Sequence, residues 1–256
     1  MGRNDSDRGD LRRFENLTFD DFRRMAKDPS LTDAEKIGFP DSYRLGKEDI
    51  IYEDIAQKLT LLQDRGRVVV DIGPGCGALP KRLLEVCSQQ DHKLVFIDSR
   101  EMLDQLPDEP FVKKIAARFP DCPDILSELR DRVDVVLSYS VLHYIFSEAN
   151  IWSFFDHALS LLAPGGQLLL GDIPNISKRM RFFSSEAGVA YHQAFTGDDS
   201  IPRVAFNRIE HDKIDDSVLL GLLSRARASG FDAYLVRQGS ELPMANRRED
   251  LLVERP

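Results

Sequence analysis

Cysteine is scarce in the chain: Cys76, Cys87 and Cys122 are the only 3 among 256 residues. Their odd number, wide spacing and lack of any C-x-x-C pair argue against a disulfide framework and against a zinc site. Long apolar runs are missing too, none approaching the roughly 20 residues that span a bilayer. The opening MGRNDSDRGDLRR is charged with no apolar stretch behind it, unlike a secretory leader. Positive charge is in deficit, with 34 Lys and Arg against 43 Asp and Glu and a formal net charge of −9, so general attraction for nucleic-acid phosphates is absent. These shortages predict a cytoplasmic protein in a reducing compartment, with neither membrane nor nucleic acid as partner. What is present is ordinary for a globular protein, 42% apolar and 30% charged residues. The length suits one large α/β domain with a buried core, as a monomer or a homodimer.

Residues 18–37 carry two short helical patterns broken at Asp28-Pro29-Ser30, and GFPDSYR, punctuated by Gly38 and Pro40, reads as a loop. EDIIYEDIAQKLTLL predicts a helix. A regular alternation follows, with strands at Val68-Val69-Val70, KLVFID, FVKKIA, VDVVLSYS and GQLLLGDIP. Helical stretches separate them, most clearly at 149–162, where Ile151, Phe154, Phe155, Ala158 and Leu162 share one face. Strands alternating with helices predict parallel pairing and helices on both sheet faces. After Pro174, about forty residues intervene before an amphipathic helix at 215–229, and an insert of that length in a compact domain tends to be a lid or a binding segment. Two strands, DAYLVR and DLLVER, close the chain.

The informative stretch is VVVDIGPGCGALPKRLLE, a buried strand turning sharply into a helix through Gly73, Gly75 and Gly77. A glycine turn there lets a ligand approach the backbone. Gly73-x-Gly75-x-x-Ala78 satisfies the dinucleotide fingerprint G-x-G-x-x-G/A, which by itself is a weak signal for NAD or FAD. Asp71, two residues ahead of the first glycine, discriminates: a carboxylate there would repel a pyrophosphate and attract an ammonium or sulfonium group. S-adenosylmethionine carries both cations. Asp98, at the tip of the second strand, can accept from both hydroxyls of a ribose, a role common to either cofactor.

Together VVVDIGPGCGALPKRLLE, VFIDSREML, DVVLSYSVLHYI and LSLLAPGGQLLLGD resemble successive motifs of the class I S-adenosylmethionine-dependent methyltransferases, over about residues 45–175. The resemblance implies a Rossmann-like sheet of seven mostly parallel strands, the last antiparallel, with helices on both faces. It implies a helical extension or lid over residues 1–44, a methyltransferase domain over 45–256, and a helical insertion at 175–212 acting as a substrate lid. By the same similarity Asp71, Gly73, Gly75 and Gly77 would hold the methionine end of the cofactor, Asp98 with Ser99 the ribose, and Ser138 with Tyr139 would border the methyl. At the third strand such enzymes often carry an acidic residue for the adenine amine; here AARFPD supplies Arg118 and Phe119, so stacking on Phe119 and backbone groups would serve instead.

The acceptor is expected to be a small molecule, methylated at oxygen, with His143 and His192 as candidate bases near their ordinary imidazole range. Small-molecule N-methylation is the near competitor, a catalytically silent S-adenosylmethionine-binding protein acting through a partner is the rival of another class, and an NAD-dependent oxidoreductase is a third. Tyr43, Arg44 and Tyr144 could wall an acceptor pocket, along with Phe182, Phe183 and Tyr191. Lys178, Arg179 and Arg181 with Asn246, Arg247 and Arg248 could clamp a phosphate or carboxylate on it, unless they form a solvated charged face. No Asn-Pro-Pro-Tyr or Asp-Pro-Pro-Tyr follows the fourth strand, which disfavours DNA bases as acceptors, and no Asp-Asn pair suggests a catechol-type metal site. No metal is expected.

Overall fold

A computed structural model describes residues 13–14, 16–208 and 210–256. Seven strands, β1 (Val68–Ile72), β2 (Lys93–Asp98), β3 (Val112–Ala116), β4 (Val133–Tyr139), β5 (Leu162–Pro174), β6 (Asp232–Val236) and β7 (Arg248–Glu254), form one sheet in the order β3-β2-β1-β4-β5-β7-β6. β1 to β5 pair in parallel, and β7 runs antiparallel to both β5 and β6. The chain winds outward from β1 in one direction and from β4 in the other, so a crevice opens between the carboxyl ends of these two strands.

The central strands are apolar on both faces because both faces are covered. Val70, Ile72, Val136, Leu168 and Leu170 pack in one core cluster with Phe154, Phe155, Leu219 and Leu222, from the helices Ile151–Leu161 and Asp216–Ala228. Val69, Phe96, Val135, Leu137 and Leu169 pack in the other with Ile51, Ile55, Leu83 and Cys87, from the helices Glu48–Lys58 and Ala78–Gln89. Neighbouring residues of one strand therefore serve opposite layers, the period of two that governs every side chain at the strand tips.

Most elements fall where the sequence pattern predicts them. Within GFPDSYR, expected as a loop, Asp41–Arg44 makes a single helical turn closed by the Leu45 amide on the Asp41 carbonyl at 2.9 Å. Strand β5 starts at Leu162, four residues earlier than its apolar run, because Leu162 already pairs with Val133 ahead of an irregularity in the ladder. The long insertion contains two helices, Ile176–Phe183 and Glu186–Thr196. Asn175 caps the first by accepting from the Ser177 and Lys178 amides, and its amide nitrogen donates to Asp216 at 2.7 Å, tying the insertion to the helix Asp216–Ala228. Among the described residues no helix is long and apolar enough to cross a membrane.

Candidate cofactor and acceptor site

The glycine turn forms the floor. Gly73 and Gly75 adopt φ of +75° and +66°, conformations that L side chains rarely take. A β-carbon on Gly73 would stand 2.7 Å from a Val141 methyl, and one on Gly75 would stand 2.6 Å from Ile37. The Gly75 amide donates to Asp98 Oδ2 at 2.9 Å and the Ser99 amide to Oδ1 at 2.6 Å, so the β2 tip and the turn are locked together. Burial pushes the Asp98 carboxyl up to about 6, against the pull of those two amides. Gly77 has an ordinary φ of −72° and stands at the N-cap of the helix Ala78–Gln89.

Above this floor lies a cavity of about 1080 Å³, including its mouth. Its β2–β3 end is walled by Asp98, Ala117, Arg118 and Phe119. Phe119 is buried and meets Phe154 edge to face at 5.3 Å, while Arg118 pairs with Glu148 at 3.2 Å on the rim. Its β4 end is walled by Tyr139, Ser140, Val141 and Tyr144. The roof comes from the N-terminal helices through Phe19, Phe22, Ile37, Phe39, Arg44 and Glu48. That roof is fastened to the body at several points: Arg23 and Lys27 pair with Glu101, each at 3.0 Å, and Lys36 donates to Gln105 at 2.8 Å.

Several expected site residues occupy this cavity: Gly73, Gly75, Asp98, Arg118, Phe119, Tyr139, Arg44 and Tyr144. Others stand elsewhere. Asp71 shares the face of Val69 rather than that of Ile72, is 2% exposed, and does not line the cavity. Burial, then the nearby Asp98, push its carboxyl well above the usual carboxylate range. Ser99 caps its own short helix by accepting from the Met102 amide, and Ser138 donates to the Ile72 carbonyl at 3.0 Å, so both brace the strand tips from behind the wall. Tyr43 is half-buried outside the cavity.

Neither candidate base lines the cavity. His143 packs beside Tyr144 with ring centroids 3.8 Å apart; its Nδ1 is buried without a hydrogen-bond partner, and burial, with the Arg248 and Lys213 cations nearby, holds it neutral. His192 sits on the insertion, its Nε2 within 3.1 Å of the Ser200 hydroxyl. The basic residues expected to clamp an acceptor disperse: on the insertion Lys178 donates to the Arg248 carbonyl, Arg181 pairs with Asp216 and Arg179 lies over Phe183 at 5.2 Å, and just ahead of β7 Arg247 lies over Tyr191 at 5.8 Å. They form an aromatic and cationic face on the insertion rather than a wall of the cavity.

Sequence reasoning missed a buried polar cluster at the tips of β4, β5 and β7. Ser140, which lines the cavity, and Asp172 both adopt left-handed φ, +62° and +56°, and their side chains hydrogen-bond. Asp172 lies 3.5 Å from Arg248 and 3.8 Å from Arg44; Asp250, 0% exposed, accepts from Lys58 at 2.7 Å, from Gln238 at 2.9 Å and from the Asp172 amide at 2.8 Å. Paired left-handed non-glycine residues beside a cavity store backbone strain of the kind found at functional sites. The only local sequence signal was a pair of acids, in GDIP and RED, each next to a strand end.

The residues present fit an adenosine cofactor. The turn is a cradle that β-carbons would fill, Asp98 offers carboxylate oxygens beside it, and Phe119 supplies a ring at the next strand tip. Among the described residues no His, Cys, Asp and Glu group is arranged to hold a metal ion.

Solved structures share this architecture. The CurJ carbon methyltransferase superposes with a TM-score of 0.54 at 17% identity, covering 84% of this chain and 56% of its own length, so this chain spans little more than half of that protein. The plantazolicin methyltransferase BpumL, in complex with a triazolic desmethylPZN analog and SAH, does so at 0.56 and 14%, covering 96% and 98% of the two chains. The N-methyltransferase NodS from Bradyrhizobium japonicum gives 0.53 and 14%, covering 93% and 98%. No curated protein sequence matches the chain. The fold is thus that of the class I methyltransferases. Residues 70–168, from the glycine turn's strand to β5, match the family model described as a methyltransferase domain.

Proposed function

We propose that the protein transfers the methyl group of S-adenosylmethionine to a small-molecule acceptor, releasing S-adenosylhomocysteine. The observation that carries this reading is the cavity at the carboxyl ends of β1, β2 and β4, floored by the glycine turn, roofed by the N-terminal helices and open at its mouth. A covered cavity of this size suits a compact acceptor and not a nucleic-acid strand. A carbon methyltransferase and an N-methyltransferase are among the proteins of similar fold, and neither acceptor atom conflicts with that class.

The bound cofactor supplies a methyl group on a sulfonium sulfur, open to in-line attack by a lone pair. The protein's part is to bind, orient and exclude water. Asp98 and Phe119 hold the nucleoside at the β2–β3 end, and Tyr144 is the side chain left to position the acceptor. Such positioning can supply about 7–11 kcal/mol of barrier lowering. Burial raises the Tyr144 phenol to about 12, so it stays protonated and can donate a hydrogen bond without acting as a base. Because no imidazole lines the cavity, the acceptor that fits best brings a free lone pair of its own, a neutral amine or an oxygen already ionised. Oxygen remains the acceptor atom where it is ionised beforehand.

The test is turnover by purified protein on pooled metabolites, read by S-adenosylhomocysteine release. Product from pools of amines, phenols or carboxylic acids supports the reading; binding of the cofactor with no product from any pool would leave the silent binder in its place.

A further inference from the structure

The cavity contains one charged pair that the nucleoside does not use. Arg44 and Glu48 stand four residues apart, at the end of the turn Asp41–Arg44 and the start of the helix Glu48–Lys58, and both face the cavity beside Tyr139. Arg44 is 7% exposed, and its guanidinium lies over the rings of Phe39 at 4.4 Å and Tyr139 at 5.5 Å. Only its Nη2 is engaged, donating to Ser140 Oγ at 2.7 Å and lying 3.8 Å from Asp172 Oδ2. Nε and Nη1 carry no hydrogen bond, yet neither is sealed away from space. Each of these free N–H donors can take one oxygen of a carboxylate in a charge-assisted hydrogen bond. Glu48, among the described residues, has neither a hydrogen bond nor an ion pair, although it lines the same wall. A fixed cation with spare donors beside an unpaired anion is the complement of an α-amino acid, whose carboxylate and ammonium share one carbon.

Strand order decides which end of the cofactor meets this pair. With the nucleoside at the β2–β3 tips, the rest of the molecule runs across β1 toward β4, where Arg44 is anchored on Ser140. We propose that Arg44 and Glu48 form the clamp for the amino-acid end of the cofactor, Arg44 taking its carboxylate and Glu48 its ammonium. The assignment rests on the cofactor reading above. It replaces Asp71, which stands on the opposite face of β1, and it places recognition of the charged end on the N-terminal segment, outside the residues 70–168 of the family match.

The experiment compares two ligands by calorimetry: S-adenosylhomocysteine, which has the amino-acid end, and 5′-methylthioadenosine, which keeps the nucleoside and sulfur but lacks it. The wild type is expected to prefer S-adenosylhomocysteine by on the order of a hundredfold or more. Glu48→Gln should cut that preference about tenfold and Arg44→Ala by more, each leaving 5′-methylthioadenosine affinity unchanged. Arg44 is buried, so thermal unfolding of Arg44→Ala is followed alongside; should it fail to fold, Glu48→Gln, at a half-exposed position, decides alone. Undiminished preference in Glu48→Gln, or equal loss for both ligands, would overturn the clamp while leaving the cofactor reading intact. A wild type that binds neither ligand would remove the cofactor reading, and the clamp with it.

Discussion

The two ends of the cavity are built from different parts of the chain. The β2–β3 end is made of Asp98, the last residue of β2, and Arg118 and Phe119, two and three positions past the end of β3, all within the segment matched by the methyltransferase-domain model. The β4 end combines Tyr139 and Ser140 with a roof from residues 19–48, held by the buried cluster around Asp172 and Asp250. The first end is rigid because strands in a packed sheet fix it. The second depends on charged side chains from a separate segment that has to dock. The comparison teaches that one end of the cavity is set by the sheet itself, and that the charged pair proposed as the clamp comes from the added N-terminal segment.

The largest expected effect separates the two ends outright. Removing residues 1–48 takes away the roof, Arg44 and Glu48 together. S-adenosylhomocysteine affinity should fall by on the order of a thousandfold, the sum of several lost contacts of about 1–3 kcal/mol each. Affinity within tenfold of the full chain, by calorimetry, would make the roof irrelevant to binding. Asp98→Ala should cost about 2–4 kcal/mol by removing charge-assisted hydrogen bonds to a ribose, and should weaken S-adenosylhomocysteine and 5′-methylthioadenosine equally, unlike changes at Arg44 or Glu48.

Gly75→Ala sits where the ends join. Its φ of +66° and the Ile37 contact at 2.6 Å predict a loss of about 1–3 kcal/mol, read as a lower melting temperature, unless Ile37 can withdraw. The pH dependence sharpens the sheet-built end further. Asp98 has its folded value raised to about 6 from 3.8, so the ligand-free protein gains stability from this group as pH falls from about 6 toward 4, and lacks that gain at neutral pH. Ribose hydroxyls favour the ionised carboxylate, so cofactor affinity should weaken as pH drops below about 6. In Asp98→Asn it should be weak and flat over the same range; a wild-type profile flat from pH 7 to 5 would take Asp98 out of the site. Smallest is His192→Ala: with its ring held by Ser200 outside the cavity, turnover should stay within about twofold of wild type in the S-adenosylhomocysteine release assay. A drop of tenfold or more would return the insertion to the chemistry.

The sheet, its glycine turn and the pocket-facing Asp98 and Phe119 were legible because each is local. Apolar runs mark buried strands, glycines mark a turn with positive φ, and a residue just past a strand tip can hardly avoid the crevice. Asp71 was read by proximity to the turn, where the alternation Val69, Val70, Asp71, Ile72 placed it on the far face; the period-two rule was available and outweighed by the motif. His143 and His192 were chosen for their chemistry, which says nothing about whether a side chain reaches a cavity. Arg44 was singled out but for the acceptor, and Glu48 was not, since neither belongs to a motif.

Read alone, the chain determined the strand-and-helix succession, the parallel architecture and the glycine turn, all of which follow from patterns spanning a few residues. Tertiary structure alone decided which charges meet. Arg44 reaches Ser140 across 96 positions and Lys58 reaches Asp250 across 192, and no spacing rule connects residues whose partnership arises only when separate elements pack in a low-dielectric interior.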